Sequence, residues 1–118
     1  MGQKVLVVDD SNLARMMMRN VINTHFPDVE LLEACSGTEA TRICADQHPD
    51  VALLDYNMPG TNGLDLALEL MHAHPDMAMF LVTANVQEAT RQRAEAAGVG
   101  FITKPVDVGQ LEPILTRG

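Results

Sequence analysis

Tryptophan is absent from this chain of 118 residues, tyrosine occurs once and phenylalanine three times. The aromatic sandwich that usually holds a flavin ring therefore has no material here. Cysteine is nearly as scarce. Cys35 and Cys44 lack the paired spacing of a zinc site, and each reads as a small apolar residue in a reduced, cytoplasmic setting. No apolar run approaches the roughly 20 residues of a membrane-spanning helix, and no signal peptide opens the chain. Basic residues are few, and the formal charge of −8 argues against unaided binding to nucleic acid or an anionic membrane. Internal repeats, linkers, low-complexity tracts and a Gly-rich phosphate loop are all missing.

What is present is an apolar content of 47%, enough for a globular core, in a length that suits one domain spanning residues 1–118. The stretch Val51-Ala-Leu-Leu-Asp55-Tyr-Asn-Met-Pro59-Gly60 organises the rest. Four apolar residues stop at a carboxylate just before a turn, which reads as a strand buried on both faces. Asp55 then stands at the C-terminal lip, where open parallel sheets place their ligand crevice.

Lys4 to Val8 is a second buried run, and it ends on Asp9 and Asp10. Ser11 caps a helix reaching about Phe26, with Ala14, Met17, Met18, Val21 and Ile22 on its core-facing stripe and Leu13 and Met16 off it. Val29 to Ala34 reads as a strand, and Glu30 and Glu33 place it at an edge. Ser36-Gly-Thr-Glu39 is a capping box opening a helix to Gln47. Gly63 to Ala73 carries both periodicities, but its Ala/Leu/Glu/Met composition and an N-cap at Asn62 decide for helix. A strand from Met77 to Val82 ends at Thr83, a helix spans Gln87 to Ala97, and a short strand from Gly100 to Thr103 runs into Lys104-Pro105. In the last element, Val108 to Leu115, Gly109 and Pro113 weaken the helical pattern. Strand and helix thus alternate five times, which predicts an α/β doubly wound parallel sheet with helices on both faces.

Parallel strands point one way, so Asp9, Asp10, Asp55, Thr83 and Lys104 gather on one edge. Three carboxylates cannot all stay ionised in a crevice without a counter-charge. All-oxygen donors favour Mg²⁺, and Asp55 can act as a nucleophile that forms an aspartyl phosphate. The metal and the Lys104 ammonium would screen the approach of a phosphoryl group. Each motif alone is weak, and their joint occurrence at four strand ends carries the reading.

This set resembles the receiver domain of two-component response regulators, in the manner of a single-domain chemotaxis regulator. The resemblance runs through Val8-Asp9-Asp10, Leu53-Leu-Asp-Tyr-Asn-Met-Pro-Gly60, Val82-Thr83-Ala84 and Phe101-Ile-Thr-Lys-Pro105, covering essentially the whole chain. It implies a flavodoxin-like, five-stranded sheet in the order 2-1-3-4-5 with five helices, an order that a chemotaxis regulator of this family commonly illustrates. It implies further that Asp55 is the phosphoacceptor, Asp10 a direct Mg²⁺ ligand and Asp9 a water-mediated one, with the Asn57 backbone carbonyl completing the protein's share. Thr83 and the Ala84 N–H would hold phosphoryl oxygens and Lys104 another, while Phe101 is the rotamer that follows Thr83. Lys104-Pro105 is often a cis peptide in such proteins.

The chain would then be a signalling switch, catalysing only its own phosphorylation and dephosphorylation. The phosphoryl group would come from a histidine kinase or a histidine phosphotransfer protein, docked on Leu13 and Met16. Output to a partner would use the face of the fourth helix, fifth strand and last helix, with Asn57 and Asn85 influencing phosphoryl lifetime. A phosphatase of the haloacid-dehalogenase type also uses an aspartate nucleophile and Mg²⁺. It would need a second aspartate two residues after the nucleophile on the first strand, whereas Asp9 and Asp10 are adjacent. No histidine falls near the strand-end site, and His72 and His74 read as a solvated helix end.

Overall fold

The computed structural model describes residues 3–60, 62–84 and 87–115; Asn85 lies outside the described residues. Five parallel strands, β1 (Lys4–Val8), β2 (Glu30–Ala34), β3 (Val51–Asp55), β4 (Ala78–Thr83) and β5 (Gly100–Thr103), form a sheet in the order β2-β1-β3-β4-β5. Between and after them come α1 (Asn12–His25), α2 (Gly37–Gln47), α3 (Gly63–Ala73), α4 (Glu88–Ala97) and α5 (Val108–Leu115). The expected class and strand order are both found, and the edge position of β2 with them.

Local chemistry starts the helices where it should. The side chains of Ser11, Ser36 and Asn62 accept from the backbone N–H groups of Ala14, Glu39 and Asp65 at 3.2, 3.2 and 2.8 Å. Gly98 closes α4 with φ of 85°, a conformation that glycine adopts without a Cβ penalty. The last helix forms despite Pro113 because a reciprocal cap opens it. The Gln110 N–H donates to Asp107 Oδ1 and the Asp107 N–H to Gln110 Oε1, both at 3.0 Å. Its buried side chains, Leu111 and Leu115, anchor the remainder.

Successive strand residues point to opposite faces, so the sheet divides two cores. Val5, Val7, Val51 and Leu53 pack with Ile22 and Phe26 on the side of α1 and α5. On the other side, Leu6, Val8, Ala52 and Leu54 pack with α2, α3 and α4. β3 is buried at all five positions, as a central strand between two helical layers must be. Asp55 shares the parity of Val51 and Leu53 and so belongs to the α1/α5 side. Thr83 shares that of Leu81, whose register partner is Phe101, so both belong to the other side.

One expectation about α1 fails. Met17 is 56% exposed rather than part of the core stripe. The helix leans on the sheet through Met18 and Ile22, and Met17 lies about 120° around the helix from the line midway between them. In α4 only Ala94 is buried and Gln87 makes no side-chain cap hydrogen bond, so this helix is held by little apolar area.

Candidate functional site

In the sheet Val8 stands opposite Leu54, so the next residue of each strand emerges beside the other at the C-terminal rim. Asp9 and Asp55 are buried there, at 5% and 6% exposure, while Asp10 is exposed. One carboxylate oxygen from each of Asp9, Asp10 and Asp55 lies within 4.8 Å of the others. From the end of the edge strand β5, Lys104 Nζ donates to Asp55 Oδ1 at 3.1 Å and approaches Asp9 Oδ2 at 3.6 Å. The lysine leaves the sheet at a defined point, because its backbone N–H donates to the Thr83 carbonyl at 2.9 Å. The Lys104–Pro105 peptide that follows is cis.

Thr83 is buried at the end of β4, one residue beyond Val82, the register partner of Asp55. Ala84 is exposed and lines the same cavity as Asp55 and Lys104. Asn57 is exposed in the loop after β3. Phe101 is not among the carboxylates. It is half-buried against the α2–α4 core, with the Arg91 guanidinium 5.6 Å from its ring centre.

Two supports of the site escaped the sequence reading. The first braces Asp9. Its Oδ1 accepts from the Ser11 N–H at 2.9 Å, its own N–H donates to the Ala34 carbonyl at 3.0 Å, and its carbonyl accepts from Arg15 Nη1 at 2.6 Å. Arg15 in turn reaches Glu33 at 3.3 Å, and Arg19 grips the same carboxylate with two bonds of 2.7 and 2.9 Å. The hydrogen bond from Arg19 holds the Glu33 carboxyl below its ordinary range. The available signal was two arginines four apart on one helix face, with an acid on the adjacent strand. The second support is Gly63, where α3 begins directly behind Asp55. Its N–H donates to the Tyr56 carbonyl at 2.9 Å, and a Cβ there would stand 2.4 Å from the Asp55 carbonyl oxygen.

Burial pushes the Asp55 carboxyl above its ordinary range, the Lys104 hydrogen bond pulls it down, and the Asp9 and Asp10 charges push it up again. Three carboxylates face one ammonium, so the ionised site carries an excess of negative charge. An all-oxygen donor set with that excess fits a hard divalent cation of the Mg²⁺ kind.

Comparisons with known proteins agree with this geometry. A family model described as the response regulator receiver domain matches residues 5–116. The chain is 33% identical to the chemotaxis protein CheY of Thermotoga maritima, covering 99% of this chain and 98% of that one. It is 36% identical to the cyclic di-GMP phosphodiesterase response regulator RpfG of Xanthomonas campestris, covering 90% of this chain but spanning only 29% of that protein. Among solved structures it superposes on Vibrio cholerae CheY4 with a TM-score of 0.86 at 25% identity, covering 96% and 95% of the two chains. On the response regulator domain of Thermotoga maritima CheB the TM-score is 0.77 at 31% identity, with 96% and 90% covered. The strand order, the acidic rim and these matches lead to one assignment: the chain belongs to the response regulator receiver domain family of two-component signalling.

Proposed function

We propose that residues 1–118 act as a receiver domain in which Asp55 accepts a phosphoryl group from a histidine kinase or a histidine phosphotransfer protein. The observation that carries this reading is the Lys104 ammonium, 3.1 Å from Asp55 at the edge of the Asp9–Asp10–Asp55 cluster. A nucleophilic carboxylate needs positive charge close by to receive an anionic group, and the chain supplies one such charge of its own. Asp9, Asp10, Asp55 and the Asn57 carbonyl would hold Mg²⁺. When bound, the ion supplies the remaining positive charge against which carboxylate and phosphoryl group can approach.

Asp55 attacks phosphorus through a carboxylate oxygen, the bond to the donor nitrogen breaks, and the imidazole keeps the bonding pair. Lys104, the Thr83 hydroxyl and the Ala84 N–H bind the transferred oxygens. Thr83 moves toward them, Phe101 follows on the same face of the sheet, and the thinly packed α4 shifts with it. The face of α4, β5 and α5 then meets a separate effector or output domain. Donor docking falls to α1, where Leu13, Met16 and Met17 are 62%, 42% and 56% exposed. Leu13→Ala is expected to slow transfer from a protein donor. No helix among the described residues is long and apolar enough to cross a membrane, in keeping with action in the cytoplasm. The haloacid-dehalogenase reading is disfavoured, because the first strand ends in adjacent aspartates.

The test is intact mass after acetyl phosphate and Mg²⁺. Wild type gains one phosphoryl mass, whereas Asp55→Asn gains none. Equal labelling of the two proteins removes Asp55 as the acceptor.

A further inference from the structure

Asp9 stands one residue past Val8, whose pairing with Ala34 is the last between β1 and β2, so the Asp9 carbonyl lies beyond the sheet's own ladder. A backbone carbonyl so placed needs a donor from elsewhere. Arg15 supplies it from α1, with Nη1 at 2.6 Å. The same guanidinium meets Asn12 Oδ1 through Nη2, and Glu33 Oε1 through Nε at 3.3 Å. One planar fork thus ties together the end of β1, the start of α1 and the edge strand β2, and only 14% of the side chain is exposed.

What that carbonyl fixes matters at the rim. The Asp9 C=O and the Asp10 N–H share one planar peptide, so holding the first sets the point from which the Asp10 side chain departs. Within Asp9, Oδ1 is taken by the Ser11 N–H at 2.9 Å, which leaves Oδ2 turned toward Lys104 and the cluster. Mg²⁺ tolerates little departure from octahedral geometry, so the carboxylates that hold it or its waters must be placed within narrow limits.

We propose that Arg15 is a positioning residue for the cation site, acting by orienting the Asp9–Asp10 peptide. This rests on the reading of Asp9, Asp10 and Asp55 as a Mg²⁺ site. Orientation and charge make opposite predictions. A guanidinium repels Mg²⁺, so if Arg15 acted by charge alone its removal would tighten metal binding. Removal of a group that orients a ligand weakens binding instead, by roughly 10–100-fold. Lysine keeps the charge but cannot bond the carbonyl, Asn12 and Glu33 as one rigid fork. Arg19 is the matched control. It carries the same charge four residues along the helix, and its bonds of 2.7 and 2.9 Å go to Glu33 rather than to Asp9.

The experiment follows urea unfolding of the full chain in EDTA and over a range of Mg²⁺ concentrations, which yields the stability without the ion and the affinity for it. Arg15→Ala and Arg15→Lys are each expected to weaken Mg²⁺ binding about tenfold. Arg19→Ala is expected to change it by less than about twofold, while lowering the stability in EDTA. Arg15→Lys carries the measurement if the alanine variant does not fold. Affinity that is unchanged or tighter in Arg15→Ala overturns the proposal alone. So does wild-type affinity in Arg15→Lys, or a loss in Arg19→Ala as large as that in Arg15→Ala. Wild-type unfolding that is indifferent to Mg²⁺ overturns the metal reading and this proposal together.

Discussion

The guanidinium of Arg91 lies over the Phe101 ring, 5.6 Å from its centre, and also approaches Glu95 at 3.6 Å. The contact joins the thinly held α4 to the ring proposed to move with Thr83. A cation over an exposed aromatic face contributes about 0.5–1 kcal/mol. It therefore favours the present ring position over the one that accompanies phosphorylation. Arg91→Ala is expected to tighten binding of beryllofluoride, a phosphoryl mimic, about two- to fivefold in the presence of Mg²⁺. An unchanged affinity, measured by titration, takes Arg91 out of the switch.

The Glu33 brace predicts a pH dependence. Its folded pKa is lowered, so its stabilisation is present above the ordinary glutamate value of 4.5 and is lost as pH falls through the folded value. Urea midpoints of wild type and Glu33→Gln should therefore differ at neutral pH and converge under more acidic conditions. The difference at neutral pH should be about 1 kcal/mol or less, since Arg19 and Glu33 are both partly solvated, and it should shrink with added salt.

Gly63→Ala should be among the costliest single-methyl additions in the protein. The new Cβ would meet backbone on two sides, 2.4 Å from the Asp55 carbonyl oxygen and 2.9 Å from the Tyr56 Cα, and neither can rotate away. A loss of about 2–3 kcal/mol is expected from overpacking of this kind. Because the displaced backbone carries Asp55, acetyl phosphate labelling should slow as well. Labelling and urea midpoint at wild-type values would show that α3 yields freely.

Divalent metal should stabilise the fold. A cation that binds only the native state at a hundred times its dissociation constant adds about 2.7 kcal/mol. Unfolding with EDTA and with Mg²⁺ is expected to show that gain in wild type, and most of it should vanish in Asp10→Asn. In EDTA the same substitution should leave stability equal or slightly higher, since it removes one of three crowded carboxylates. A Mg²⁺ response of full size in Asp10→Asn would exclude this carboxylate as a ligand.

Much of the site was legible in the chain because each of its groups follows an apolar run, and buried parallel strands deliver their ends to one rim. Strand order was a different matter. Which parallel strands pair depends on contacts far apart in the chain, and the order 2-1-3-4-5 came from the family resemblance. Met17 was misplaced because an amphipathic stripe has soft edges, and only the seating of Met18 and Ile22 decides which edge is covered. The Asp107–Gln110 cap was not read from the sequence, where Gly109 and Pro113 alone set the expectation for the last helix. Arg91 over Phe101 left no local trace at all. The two residues meet only after the chain has turned from α4 into β5.

The alternation of side chains along β3 and β4 puts Asp55 on one face of the sheet and Thr83 with Phe101 on the other. On the proposed reading, the carboxylate that takes up the phosphoryl group and the ring that reports it stand on opposite faces and are linked at the strand tips. Under the proposed function, substitutions on α1, which is no part of the α4–β5–α5 output face, would refit the protein to a new donor without disturbing its effector. Substitutions on α4 would change the effector and leave the donor-facing α1 as it is.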